Sequence, residues 1–210
     1  MPTSTFFRLP EEKRVRLLDA CWAECTRAGF ADISINRIIS AARIPRGSFY
    51  QYFSDRDEMI RYLLQEIRSY FIGLLRDILV EARGDLFILP VAAFDRFFSQ
   101  DSLDPMLARF IQVMRLNLGI DLQSMMTTQP GFLPDPLWEE TDTTLLRQKE
   151  RTYADHVFHL LVAALAYAVA GTLKDGGRRE QEREALEFRV ALLRYGCAAA
   201  PDGSRKEGTV

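Results

Sequence analysis

The sequence has few cysteines and histidines, and it lacks a segment typical of export. Its 210 residues include three cysteines and two histidines. Three cysteines are an odd and sparse set that cannot crosslink a secreted fold of this size, so they predict a reducing compartment. The opening run MPTSTFFRLPEEKR has no basic stretch followed by an apolar one, so no signal peptide is expected. A cytoplasmic protein is predicted.

The sequence also lacks a dominant charge and a long apolar run. The net charge is -2, so the charge of the whole chain indicates no partner. The eighteen residues 156–173 contain no Asp, Glu, Lys or Arg, and this length is barely enough to span a membrane. Because this run contains both histidines and follows a charged segment, we expect a buried helix and no membrane partner.

Apolar residues recur at helical spacing along most of the chain, and no stretch shows sustained strand alternation, so an all-α fold is predicted. In the first helix, Val15, Leu18, Trp22 and Cys25 form the expected apolar stripe. The loop TTQPGFLPDP interrupts the second half of the chain. The expected helices are Pro10–Ala28, Asp55–Arg83, one starting at Pro90, one starting at Asp104–Pro105, Asp142–Leu173 and Arg178–Ala199.

Two short helices joined by a tight turn are expected between Ser34 and Phe53. Ser34 can cap the first of them, and the segment ARIP ends it because a residue before proline disfavours helical backbone. Residues 33–54 contain three arginines and no acidic residue, which favours a polyanion partner. The pattern is typical of a helix-turn-helix, whose second helix enters the DNA major groove. An ordinary helical hairpin with a solvated face is the alternative.

The second short helix carries side chains suited to reading DNA. Arginine pairs with phosphate or guanine, glycine permits close approach, serine and tyrosine donate to phosphate, and glutamine addresses a base edge. The candidate DNA-binding residues of this helix are Arg46, Gly47, Ser48, Tyr50 and Gln51.

The run ISINRIISAARIPRGSFYQYFSDRDEM resembles the N-terminal DNA-binding segment of the TetR (TetR/AcrR) family of bacterial transcriptional regulators. The shared pattern is a capped helix, an alanine pair, a turn, a basic-Gly-Ser/Thr-aromatic-Tyr sequence and an acidic-basic start to the next helix. The resemblance implies that three residues hold phosphates (Ser34, Ser48 and Tyr50), that two face the groove (Arg46 and Gln51), and that Arg56 touches the DNA backbone.

Two positions depart from the family's pattern. Arg43 stands where the family usually has a glycine, and a left-handed backbone there costs a non-glycine residue about 1 kcal/mol. Pro45 replaces the commoner serine or threonine cap. Both changes leave open whether the recognition helix keeps the usual angle.

The resemblance also implies a ligand-controlled homodimer on a palindromic operator. A small molecule would enter a cavity in the C-terminal half and tilt the helix from Asp55 to Arg83. An apolar or aromatic ligand suits the aromatic and sulfur-containing side chains of that half, although core packing is the alternative for each of them. The candidate lining residues are Phe71, Phe94, Phe98, Met106, Phe110, Met114, Trp138, Tyr153 and His159.

The implied dimer is a four-helix bundle made from the last two helices of each subunit. The last helix has two adjacent apolar stripes, so one can face the subunit's own core and the other a partner. Burial inside a lone monomer is the alternative. The candidate interface residues are Val157, Leu161, Ala164, Leu165, Ala168, Leu186, Val190, Leu193 and Cys197.

Catalytic chemistry is not indicated. No nucleophile motif, phosphate-binding glycine loop or HExxH zinc pair is present, so no enzyme, metal or cofactor is expected. His156 and His159 are interpreted as core or polar-lining residues, with a metal site as the alternative. Cys21 and Cys25 are interpreted as packing residues, with oxidant sensing as the alternative.

The sequence therefore predicts an all-α protein with three parts. Residues 1–56 form a three-helix helix-turn-helix DNA-binding domain, residues 57–200 a helical ligand-binding and dimerisation domain, and residues 201–210 a disordered tail. The predicted function is a sequence-specific transcriptional regulator, a repressor released from its operator by a ligand. A DNA-binding regulator without small-molecule input and an α-helical enzyme are the alternatives.

Overall fold

The computed structural model describes residues 1–99, 103–117 and 133–199, and in these ranges it is helical without strands. The prediction of an all-α fold is confirmed. The α-helices are α1 (Ser4–Phe7), α2 (Glu11–Cys25), α3 (Ile35–Ala42), α4 (Arg46–Tyr52), α5 (Arg56–Glu81), α6 (Leu89–Phe97), α7 (Pro105–Leu116), α8 (Asp135–Glu140), α9 (Arg151–Lys174) and α10 (Arg179–Cys197).

The chain forms two compact units. The first combines Met1–Tyr70 with the described part of Leu103–Gln129, and the second combines Phe71–Ser102 with Pro130–Val210 as far as these are described. The predicted domain boundary after residue 56 stays a prediction. The predicted tail, residues 201–210, lies outside the described residues.

The core of the first unit is aromatic where α1, α4 and α5 meet. Phe6, Phe49 and Phe53 are fully buried, and the Phe6 ring lies 5.2 Å from both Phe53 and Tyr62. The prediction of a buried apolar stripe on α2 is wrong at Val15, because this residue is 49% exposed. The buried face is instead rotated toward other α2 residues, among them Leu17, Ala20 and Cys21, because α3 packs against that side.

Helix α7 belongs to the first unit and packs on its N-terminal part. Asp104 caps it by accepting hydrogen bonds from the backbone N–H groups of Met106 and Leu107, at 2.9 and 2.8 Å. Arg109 lies over the Trp22 ring at 5.3 Å from its centre. At the other end, buried Asn117 accepts a 2.8 Å hydrogen bond from the Phe30 N–H. These contacts tie α7 to α2 and to the segment before α3.

The second unit is built around α9. This helix packs against α6 and α10 and buries residues along its length, including Val157, Leu161 and Ala168. It is long and apolar enough to cross a membrane by length and composition alone. Because its buried residues contact neighbouring helices, α9 has the character of a core helix.

The predicted helix Asp142–Leu173 is wrong at its start. Asp142 accepts from the Thr144 N–H at 2.9 Å and from its hydroxyl at 2.6 Å, which forms a local turn that competes with helix. Leu146 then forms an antiparallel bridge with Ala198, so α9 begins only at Arg151. Helix α8 was also missed, because the proline-rich loop assigned there extends into its first residues. Most of that loop lies outside the described residues.

Candidate nucleic-acid interface

The N-terminus of α3 is fixed by a buried carboxylate on α2. Glu24, which is 4% exposed, accepts a 2.9 Å hydrogen bond from the Ser34 N–H and two from Arg27, at 2.6 and 2.9 Å. Ser34 in turn accepts from the Arg37 N–H, so the predicted cap is confirmed. The hydrogen bonds from Arg27 and Ser34 lower the pKa of Glu24 below its ordinary value, although burial opposes them.

The turn between α3 and α4 passes through a left-handed residue. Arg43 has φ 54° and ψ 48°, and the Ile44 N–H donates to the Ile39 carbonyl at 3.0 Å. The expectation of a positive φ at Arg43 is confirmed, and this arginine occupies a backbone conformation that glycine adopts more easily. Pro45 precedes α4 in extended conformation and supplies no side-chain cap.

Helix α4 has one buried side and one exposed polar side. Phe49 is fully buried, and Phe53 at the end of the helix is buried beside it with ring centres 5.6 Å apart. On the other side, the predicted residues Arg46, Gly47, Tyr50 and Gln51 are exposed and Ser48 is half-buried. The structure therefore brings all five predicted α4 residues to one helix surface, while their contacts with DNA stay a prediction.

A recess of about 440 Å³ lies beside this surface. Its walls come from the N-terminus of α3, from α4 and from the start of α5. Within it, the Arg46 guanidinium donates a 3.0 Å hydrogen bond to Asn36 Oδ1. Arg56 donates to the Ala31 carbonyl at 2.8 Å and lies 3.4 Å from Asp57. The lining residues are Ile33, Ser34, Ile35, Asn36, Arg46, Tyr50, Asp55, Arg56 and Asp57.

The end of α4 is held by the N-terminal segment. The Thr3 N–H donates to the Tyr52 carbonyl at 3.0 Å, and the Thr3 hydroxyl donates to the Gln51 carbonyl at 2.5 Å. Asp55 starts α5 by accepting from the Glu58 N–H at 2.7 Å, and the Glu58 carboxylate accepts from the Ser54 N–H at 2.6 Å. This reciprocal arrangement is close to a capping box.

Replacing Glu24 with glutamine should lower stability in a pH-dependent way. Because the pKa of Glu24 is lower in the folded chain than its ordinary 4.5, its stabilisation is complete above that value and is lost as pH falls through the folded pKa. At pH 7 we expect a loss of about 1–3 kcal/mol. Urea unfolding at pH 7 and near pH 3 measures it, and the gap between wild type and variant should shrink at the lower pH.

The matched control is Glu12→Gln on the same helix. Its side chain is 91% exposed, so this substitution should leave the free energy of unfolding nearly unchanged. A Glu24→Gln deficit that stayed the same from pH 7 to pH 3 would contradict the role given to the ionised carboxylate.

The candidate ligand-lining residues are divided between the two units. Met106, Phe110 and Met114 belong to the first unit, and the other six to the second. Phe94 and Phe98 are buried with ring centres 4.8 Å apart, and the Tyr153 hydroxyl donates to the Cys197 carbonyl at 3.1 Å. His159 and Met114 are exposed, while Phe71 and Trp138 are half-buried. The ligand site stays a prediction.

Most candidate dimer residues lie inside the subunit. Val157, Leu161, Leu165, Ala168, Leu186 and Val190 are buried, and Ala164, Leu193 and Cys197 are half-buried. Apolar residues other than these candidates remain exposed on α9 and α10. The large ones are Leu160 at 47%, Tyr167 at 65%, Phe188 at 67%, Leu192 at 59% and Tyr195 at 90% exposed.

The buried cysteines fit the packing interpretation. Cys21 and Cys25 are both buried, and burial raises the pKa of the Cys21 thiol and raises that of Cys25 to about 12. Both therefore stay protonated at neutral pH, where only a thiolate reacts readily. Among the described residues no cluster of three or more potential metal ligands occurs.

Two residues of this site were missed by sequence reasoning. Glu24 lies off the apolar stripe assigned to its helix, and Asn36 contacts a residue ten positions away. Neither contact follows from helical periodicity, because each joins two different helices.

Comparison with known proteins agrees with this geometry. The model of the family "Bacterial regulatory proteins, tetR family" matches residues 17–63, which include α3 and α4. The transcriptional regulator AcuR of Cereibacter sphaeroides is 34% identical over 59 residues, a segment that spans 28% of this chain and only 27% of AcuR.

Solved structures share the fold over most of the chain. One, described as a transcriptional regulator from Pseudomonas aeruginosa PAO1, is 22% identical with a TM-score of 0.63, covering 92% of this chain and 96% of that one. The fatty acid degradation regulator FadR from Bacillus halodurans is 17% identical with a TM-score of 0.56, covering 90% and 98%. Residues 17–63 therefore match the segment described by the model of the family "Bacterial regulatory proteins, tetR family", and the solved structures share the fold of most of the chain.

Proposed function

We propose that the protein is a sequence-specific DNA-binding transcriptional regulator that acts as a homodimer. The observation that carries the proposal is the two-sided α4. Phe49 and Phe53 anchor it in the core, while Arg46, Tyr50 and Gln51 are exposed together on its surface. A helix anchored on one side with a polar exposed side is what insertion into a major groove requires.

The exposed residues divide into two roles. Ser34 at the start of α3, with Ser48 and Tyr50 on α4, can donate to phosphate oxygens and so set the register on the duplex. Arg46 and Gln51 can address base edges and so carry sequence preference. Arg56 has a smaller role in this scheme, because its guanidinium already donates to the Ala31 carbonyl and lies beside Asp57.

Dimerisation is supported by the exposed apolar face of α9 and α10. Leu160 and Tyr167 on α9, with Phe188, Leu192 and Tyr195 on α10, leave large apolar surfaces in solvent. A second copy of the same face would cover them in a two-fold, self-complementary interface. The buried residues first assigned to the interface, such as Leu186 and Val190, instead hold α10 within the subunit. In a dimer, two α4 helices about 34 Å apart would read a palindromic operator.

The proposed regulation is release from the operator by a small apolar or aromatic ligand. Three candidate lining residues lie on α7, and that helix contacts α2 and the segment before α3 through Arg109 and Asn117. A ligand that binds better when α7 is displaced would therefore disturb the helix-turn-helix. A coupling of about 1–3 kcal/mol changes DNA affinity about 5–150-fold.

A regulator without small-molecule input is the second candidate. One observation that favours it concerns the described residues of the second unit: the recess at Leu75, Leu89 and Phe158 has a volume of only about 10 Å³, which is too small for such a ligand. Titration of apolar and aromatic compounds into the protein–DNA complex separates the candidates. Release of DNA by any of them supports the first.

Substitutions on α4 test the proposed reading of DNA. Ser48→Ala and Tyr50→Phe each remove a phosphate donor, so they should weaken binding to all duplexes about equally. Gln51→Ala should change which duplexes are preferred, since each base contact discriminates by about 1–3 kcal/mol. Selection from a random duplex library followed by affinity measurement gives both results. If Gln51→Ala left the preference profile unchanged, its assignment to base contact would be wrong.

A charge on the exposed apolar face should prevent dimerisation. Leu192→Glu places a carboxylate where two copies of α10 would meet, and an unpaired charge buried there costs several kcal/mol. Sedimentation should show dimers for the wild type and monomers for the variant, with a loss of affinity for palindromic duplexes. The control is Val80→Glu, a charge at an apolar position on α5 that is 53% exposed. Equal behaviour of the two variants would place the interface elsewhere.

A further inference from the structure

We propose that Asn36 is a positioning residue for Arg46, and that the two read guanine as one donor unit. The inference rests on the proposed DNA-binding function and adds a base preference to it. Asn36 is the second residue of α3 and Arg46 is the first residue of α4. Their hydrogen bond, from the Arg46 guanidinium to Asn36 Oδ1 at 3.0 Å, therefore joins the two helices of the helix-turn-helix at their exposed starts.

The contact restricts a side chain that would otherwise sample many rotamers. Arginine loses side-chain conformational freedom when it is fixed, and a guanidinium that is already held has lost part of this freedom before it meets DNA. Arg46 needs such support, because Pro45 before it offers no side-chain acceptor.

A neutral acceptor leaves the charge of Arg46 available to DNA. Two carboxylates, Asp55 and Asp57, line the same recess, but each has another contact. Asp55 accepts from the Glu58 N–H at 2.7 Å, and Asp57 lies 3.4 Å from Arg56. Arg46 is instead held by an amide oxygen, so its positive charge is not cancelled by its support.

The pair presents mainly hydrogen-bond donors. A guanidinium has no acceptor, so the Asn36 atom facing it must be the oxygen, and the amide group that remains for DNA is the Nδ2 donor. An asparagine reads adenine with its oxygen and nitrogen together, and here the oxygen is already engaged by Arg46, which disfavours that contact. Guanine offers two acceptors, N7 and O6, in the major groove. The donor pair therefore matches guanine and neighbouring phosphate oxygens.

The test is selection from a random duplex library by the full chain and four variants. The wild type should enrich one guanine in each half-site. Arg46→Ala should remove that preference and weaken binding of the selected duplex about tenfold, and Asn36→Ala should remove the same preference with about a three- to tenfold loss. The loss in the double variant should be smaller than the two single losses combined, because the residues act as a coupled pair. Ser40→Ala, exposed on the same helix and outside the recess, should match the wild type.

Other results would overturn the inference. The two residues would act separately if their losses added in the double variant, or if the two single variants changed the preference at different base pairs. Tighter binding by Asn36→Ala would show that the contact holds Arg46 away from DNA. If the wild type enriches no sequence at all, the proposed DNA-binding function fails together with the pair. If it enriches a sequence and the two losses add, only the pair fails.

Discussion

Phe6→Ala is expected to destabilise the first unit by about 3–5 kcal/mol, the usual cost of removing a fully buried phenylalanine ring. Phe6 has no exposed surface, and its ring lies 5.2 Å from the rings of Phe53, Tyr62 and Phe7. The cavity left by alanine would be walled by aromatic rings that cannot collapse into it without moving α4 or α5. Urea unfolding followed by circular dichroism measures the loss as a lower midpoint.

The control for this substitution is the next residue. Phe7 is 50% exposed, so Phe7→Ala removes a ring of the same size with much less buried surface, and about 1 kcal/mol or less is expected. Equal losses for the two variants would mean that the N-terminal segment does not pack as described.

The Phe6 substitution should also weaken the proposed DNA binding. Thr3 holds the last turn of α4 through its hydrogen bonds to the Gln51 and Tyr52 carbonyls, and Phe6 holds Thr3 in place by anchoring α1. Without the ring, the end of α4 that carries Gln51 loses its support. Affinity measured well below the unfolding midpoint should fall for Phe6→Ala and stay near wild type for Phe7→Ala.

The helix-turn-helix was predictable because its signals are local. Ser34 as a cap, the proline after the turn and the spacing of Ile38, Phe49 and Phe53 all act within a few residues, and the positive φ at Arg43 followed from the position of that residue in the family's pattern. The contacts that hold this segment in place were not predictable. Phe6 and Glu24 act on it from other helices, and helical periodicity carries no information about such pairs.

The proposed dimer face shows a different limit of sequence reasoning. The last helix has two adjacent apolar stripes, one containing Leu186 and Val190 and the other Phe188 and Leu192. Helical periodicity does not distinguish the two stripes, so only packing against α6 and α9 decides which of them is buried within the subunit. Similarly, the early start predicted for α9 failed because Leu146 pairs with Ala198, a residue more than fifty positions away.

Gly84→Ala is expected to destabilise the second unit by about 2–5 kcal/mol, through strain and collision together. Gly84 has φ 83°, a conformation that alanine rarely adopts, and its N–H ends α5 by donating to the Leu79 carbonyl at 2.9 Å. A Cβ there would lie 2.4 Å from the Asp142 backbone nitrogen and 2.7 Å from the Glu140 carbonyl oxygen.

Both collisions are with backbone, so no side-chain rotation can relieve them. The segment after α8 would have to move, and this would break the 3.0 Å hydrogen bond from the Asp142 N–H to the Gly84 carbonyl. Gly73→Ala within α5 is the matched control, since an added Cβ meets nothing within 4 Å there. It should raise stability by about 0.5–1 kcal/mol, because alanine favours a helix interior over glycine. Thermal unfolding should therefore shift in opposite directions for the two substitutions, and a shift in the same direction would contradict the close approach at Gly84.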